Sequence, residues 1–161
     1  MSENGHSTQM LVSKIKDGTV IDKIPPGKSI LLLKILNIDE NLADTIGLAI
    51  KVTSKSMGRK DIVKLTNRFL SDEEYKKIWL IAPKAKIAII KDYEVSEKFN
   101  LQEKELSMEF TGVLTCNNPT CATNFREPVT PSFIVLRRDP LLVRCQYCDR
   151  VMLEENIREQ L

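Results

Sequence analysis

The stretch TIGLAIKVTSKSMGRKDIVKLT, residues 45–66, reads as two strands and the turn that joins them. Thr45–Val52 and Lys60–Thr66 are rich in aliphatic and β-branched residues. Thr53–Gly58 between them is small, polar and ends in glycine, which together make a hairpin signal. A helix signal lies on each side. Upstream, Ser29–Asn37 (SILLLKILN) is apolar and bracketed by Pro25-Pro26-Gly27 and by Asn37-Ile38-Asp39. Its leucines outnumber its β-branched residues, which favours a helix over a buried strand. Downstream, Ser71-Asp72-Glu73-Glu74 has the spacing of a capping box. There the serine accepts from the amide three residues on and the glutamate reaches back. Tyr75, Ile78, Trp79 and Ala82 supply the apolar face behind it, and Pro83 ends the helix.

One further strand-like run lies outside each helix. Leu11–Ile24 alternates around an Asp17-Gly18 turn and reads as a broken strand; Ala85–Val95 (AKIAIIKDYEV) reads as a final one. The order β-α-β-β-α-β predicts an α+β, ferredoxin-like domain, with two helices on one face of a four-stranded antiparallel sheet. Ser96–Glu109 is polar, charged and without strand pattern, so a domain boundary is expected near Asn100. The expected organisation is a disordered tail over residues 1–10, a first domain over 11–100 and a second, small antiparallel-β domain over 101–161. Short strand-like pieces in the second domain lie at Phe110–Thr115, Ser132–Leu136, Leu141–Arg144 and Val151–Leu153.

All four cysteines fall in that second domain. Cys116 and Cys121 are separated by four residues, Cys145 and Cys148 by two, and 23 residues lie between the pairs. The C-x4-C…C-x2-C spacing is that of a structural Zn2+ site. Two disulfides or four buried thiols are the alternatives, less suited to paired small loops in a chain without export signals. Four thiolates leave no position for water or substrate, so the metal would be structural and not catalytic. A domain this small needs such a staple, because its core alone is marginal.

Charge narrows the partners. Residues 1–100 carry a net +4 and residues 101–161 a net −2. Four thiolates around a dication add further negative charge. Zinc ribbons that grip nucleic acid need a basic face. A nucleic-acid-binding ribbon is therefore the weaker alternative, and no nucleic acid is expected as partner. No apolar run approaches the ~20 residues of a membrane helix, so no membrane association is expected. Met1–Gln9 lacks the apolar core of a signal peptide, which with metal-bound thiols predicts a cytoplasmic location. His6 is the only histidine, and no phosphate-binding glycine loop is present. Asp72-Glu73-Glu74 complements a helix dipole and is no acid/base pair. No enzymatic constellation emerges; the expected role is non-catalytic.

Three stretches resemble the regulatory chain of aspartate carbamoyltransferase. They are DGTVIDKIP (Asp17–Pro25), MGRKDIVKLTNRFLS (Met57–Ser71) and the cysteine quartet in its place; IAPKAKIAIIKDYEV (Ile81–Val95) fits the same family. The match runs in register from about Leu11 to Val151. The resemblance implies a non-catalytic subunit in pyrimidine biosynthesis. Its ferredoxin-like domain would bind CTP, ATP and UTP, and its zinc domain would dock on the catalytic chain. Regulatory chains would pair as homodimers in an assembly of six catalytic and six regulatory chains. Carried over by motif, the nucleotide site would use Val12, Ile15, Asp22, Lys23, Lys64, Ile90, Tyr93, Val95 and Lys98, with Lys60 nearby. Lys98 and Lys23 would face the triphosphate, and Lys64 and Asp22 the ribose. Backbone groups around Val12 and Tyr93 would read the base, with Ile15 as apolar contact. On pattern alone these lysines would be a solvated face and Ile15, Ile90 and Val95 ordinary strand residues.

The chain departs from the family pattern at Lys23, where histidine is common, at Ser13 for a glutamate and at Ala88 for an asparagine. An added ammonium favours phosphate, while lost polar contacts to the base relax discrimination. The loop Asn117-Asn118-Pro119-Thr120 would dock the catalytic chain through Asn118. Arg137 and Arg138 are either interface or solvent-facing residues.

Overall fold

The computed structural model describes residues 13–38, 45–125 and 129–161. The hairpin forms as expected: β2 (Ile46–Ser54) and β3 (Gly58–Thr66) are antiparallel neighbours. Between β1 (Gly18–Ile24) and β2 lies α1 (Ser29–Ile35); α2 (Asp72–Ile81) follows β3 and leads into β4 (Lys86–Lys91). The strands order β2-β3-β1-β4 with every pairing antiparallel, the ferredoxin-like arrangement. Ser71 caps α2 as its spacing predicts: its Oγ accepts from the Glu74 amide (3.3 Å), and its own amide donates to Glu74 Oε2 (2.8 Å).

Two features depart from expectation. Only Gly18–Ile24 of the first run is strand; residues 13–17 cross the sheet end without regular structure. A fifth strand, β5 (Glu94–Asn100), pairs with β4 and closes the sheet where Ser96–Glu109 promised none. The segment after it is packed, not loose. Leu101 and Leu106 are buried, and the Leu101 amide donates to the Ala85 carbonyl at 2.9 Å. The predicted tail, residues 1–10, lies outside the described residues.

Gly18 shows why the turn at Asp17-Gly18 needs glycine. Its φ is +139°, and a Cβ there would lie 2.0 Å from the Leu65 carbonyl oxygen on β3. Helices and sheet meet over Ile21, Leu32, Val63, Leu65, Ile78 and Ile87, all fully buried. Two bulges flank one buried carboxylate, Asp61 on β3. One, in β1, has Lys23 at φ 60°; the other, in β2, has Lys51 at φ 55°. Asp61 accepts from the amides of Gly27 (2.8 Å), Ser29 (3.2 Å) and Lys51 (2.8 Å), and from Ser29 Oγ (2.7 Å). The carboxylate thus fixes the start of α1 and the β2 bulge at once.

The second sheet orders β6 (Glu109–Thr111), β7 (Ser132–Arg138), β8 (Leu141–Cys145) and β9 (Val151–Leu153), all antiparallel, with a short helix α3 (Glu154–Arg158) after it. One apolar core runs through both domains. Trp79 of α2 stacks on Phe110 of β6, with centroids 6.1 Å apart and an interplanar angle of 22°. The Arg138 guanidinium covers the other domain's indole at 5.8 Å.

Candidate functional site

The four cysteines converge. Their sulfurs all lie within 4.8 Å of one another, with Cys116–Cys148 at 3.6 Å and Cys121–Cys145 at 3.8 Å. A disulfide needs about 2.05 Å, whereas sulfurs at the corners of a tetrahedron with arms of about 2.3 Å stand about 3.8 Å apart. Local sequence builds each pair. Cys116–Cys121 is a loop closed by the Cys121 amide donating to the Asn118 carbonyl (3.0 Å). Asn124 Nδ2 braces it on the carbonyls of Cys116 (2.9 Å) and Asn118 (2.7 Å). Cys145–Cys148 is a turn at the end of β8, where the Asp149 amide donates to the Cys145 carbonyl (3.0 Å).

Asn118 works inside its loop. Its Oδ1 accepts from the Thr120 amide (3.2 Å) and hydroxyl (2.9 Å), while its side chain also hydrogen-bonds Cys148. Asn117, Pro119 and Thr120 are exposed. That Asn118 bond is the main reason the Cys148 thiol is lowered to about 6. Burial pushes Cys116 up to about 12 and raises Cys145. Buried thiols beside a half-buried, acidified one form a donor set that needs a cation to become four thiolates.

The second candidate is the sheet face away from the helices. Register places Lys64, Val20, Ala88 and Lys98 in one row across β3, β1, β4 and β5. The next row joins Asp22, Lys86 and Asn100; beyond it on the other side lie Gly18, Ile90 and Val95. Small Val20 and Ala88 make a floor, and long cationic side chains rise on either side. Lys60 Nζ pairs with Asp22 Oδ1 (2.7 Å) and Oδ2 (3.0 Å), so that carboxylate arrives already neutralised. Burial lowers the Lys64 ammonium below its ordinary range, and its Nζ donates to the Ser13 carbonyl (3.1 Å). The rim is the β4–β5 turn, where Asp92 (φ 50°) and Tyr93 (φ 65°) are both left-handed. Their amides donate to Asp17 Oδ1 (3.1 Å) and to the Lys16 carbonyl (2.9 Å). Tyr93 and Val95 are 62% and 58% exposed on that rim.

Asp22, Lys60, Lys64, Ile90, Val95 and Lys98 therefore share one face, with Tyr93 at its edge. Half-buried Ile15 lies in the irregular segment beside them. Val12 lies outside the described residues. Lys23, at its bulge, lines the groove between the domains. Lys86 was not anticipated, although it alternates with Ala88 and Ile90 and could have been found from that period of two. Asp61 was also missed, having no pattern signal.

A ferredoxin-like domain with a lysine-rich open face, joined to a small β domain that gathers four cysteines, defines a two-domain protein with a metal-binding module. Residues 10–102 match the family model described as aspartate carbamoyltransferase regulatory chain, allosteric domain, and residues 108–158 match the metal binding domain of the same chain. The Thermoplasma acidophilum aspartate carbamoyltransferase regulatory chain is 49% identical over 146 residues, 91% of this chain and 95% of that one. The Pyrococcus abyssi counterpart is 48% identical over 154 residues, 95% and 99% respectively. The chain belongs to the aspartate carbamoyltransferase regulatory chain family and is a non-catalytic subunit with an allosteric and a metal-binding domain.

Proposed function

We propose that the chain senses nucleoside triphosphates (CTP, ATP and UTP) on the open sheet face and transmits their binding to a catalytic chain of aspartate carbamoyltransferase. The observation that carries this reading is the row Lys64–Val20–Ala88–Lys98, an apolar floor between two ammonium groups. An anionic ligand with a flat base and a polar sugar suits that arrangement. Lys98 meets the phosphates; Lys64 and Asp22 meet the ribose, and Ile15, Ile90, Tyr93 and Val95 surround the base, while Lys23 lies apart in the interdomain groove. The metal is Zn2+, because four clustered sulfurs, three of them buried, at tetrahedral separation suit a borderline-soft dication. It holds the Asn117–Thr120 loop against the catalytic chain. The long edge strand β2, with Leu48 and Ile50 exposed, supports pairing of two regulatory chains. Six regulatory with six catalytic chains is the proposed assembly, and the cytoplasm its location.

Coupling follows if the nucleotide binds one quaternary arrangement more tightly than another. The experiment is reconstitution with the catalytic chain followed by calorimetry with CTP, UTP and ATP. Affinities within ~100-fold of one another, about 2.7 kcal/mol, are expected from Ala88 and Ser13. Lys64→Gln and Lys98→Gln should each weaken binding about tenfold. Unchanged affinity in both variants would overturn the site.

A further inference from the structure

A groove of about 390 Å³ runs between the domains on the helical side of the first sheet, away from the lysine row. That volume is within the usual range for a small-molecule site, about 300–1,000 Å³. Its apolar lining comes from both domains: Leu31, Trp79 and Leu80 from the first, Leu141 and Ile157 from the second. Its charge is one-sided. Lys23, Lys28, Lys84 and Arg138 all line it and none is ion-paired among the described residues, while Arg158 is paired to Glu154. Asp139 is the one lining carboxylate left without a cation among the described residues. Unpaired cations facing apolar walls select a ligand that is anionic at one end and apolar or aromatic at the other. Arg138 lies over the Trp79 ring, which is buried and stacked on Phe110, so a ligand entering here meets the guanidinium beside an apolar wall.

We infer that this groove is a second binding site, for a small aromatic or apolar organic anion that bridges the two domains. A ligand touching α2 and α3 together would favour one angle between the domains. It would thus act on the same element through which a signal from the sheet face must pass.

The test uses the full metal-loaded chain and the dye 1-anilinonaphthalene-8-sulfonate, which has the proposed chemistry. Trp79 is the only tryptophan in the chain and lines the groove, so excitation of it reports a nearby dye by energy transfer. Saturable sensitised emission with one dye per chain is expected. The uncharged analogue N-phenyl-1-naphthylamine should bind about tenfold more weakly, as should the sulfonate to the exposed-residue variant Lys28→Glu/Lys84→Glu. Lys64→Gln/Lys98→Gln, on the other face, should leave dye affinity unchanged. Equal affinity for the two dyes, indifference to the charge reversal, or loss of binding in the sheet-face variant would each overturn the inference.

Discussion

Asp61 is a fully buried carboxylate with no cation paired to it among the described residues, and its four donors decide its state. Burial pushes its pKa up. The bonds from the Lys51, Ser29 and Gly27 amides and the Ser29 hydroxyl outweigh that, so the pKa lies below the ordinary aspartate range. The folded state therefore favours the ionised form. Its contribution is complete at neutral pH and is lost as pH falls below about 4, through the folded pKa. Asp61→Asn should destabilise the domain by about 2 kcal/mol at pH 7, since an amide nitrogen would face donors it cannot accept from. The same variant should flatten the acid limb of stability measured by denaturant titration. An equal loss at pH 7 and at pH 3 would contradict this account.

At the scale of elements, β5 explains both the limits and the reach of sequence reading. Its run EVSEKFN is largely exposed, with Phe99 the one large apolar side chain it turns toward the helices, against Tyr75 at 5.6 Å. An edge strand with one buried anchor has no alternation to read, so the fifth strand was invisible. The bulge between Ile89 and Ile90 further hides which residue faces which. The β2–β3 hairpin and α2 were legible because period and capping agree there. The cysteine site was legible from spacing alone; the lysine row was not, because it exists only once four strands are in register. Trp79 is buried on α2 as its spacing predicts, but its partner belongs to a different class of miss, since Phe110 is on another domain. Trp79→Ala should cost about 3–5 kcal/mol, whereas Trp79→Phe keeps the stacking and discards an indole N–H that has no acceptor among the described residues. Thermal melts of the two variants should differ by well over the smaller effect.

For the whole molecule, the metal and the shared core make stability a joint property. Strands of three to seven residues cannot hold the second sheet unaided, and metal binding supplies about 10–16 kcal/mol in comparable zinc peptides. Chelation should therefore erase the second domain's share of the circular dichroism signal. Loss of Phe110 from the seam should shift Trp79 fluorescence and lower the melting temperature of the first domain as well. In a reconstituted complex it should release the catalytic chains with their activity intact and end any response to nucleotide. An unchanged spectrum after verified metal removal would defeat the first expectation, and vanished catalysis the second.

Tyr93 holds its backbone at φ 65°, where a side chain costs about 1 kcal/mol or more of steric strain that glycine avoids. Selection for thermostability alone would replace it. Tyr93→Gly should raise the melting temperature by about 2–4 °C while weakening nucleotide binding. Natural tyrosine at this corner would then mark a trade of robustness for recognition, and a stability-guided redesign would yield a sturdier chain that no longer reports on its ligand.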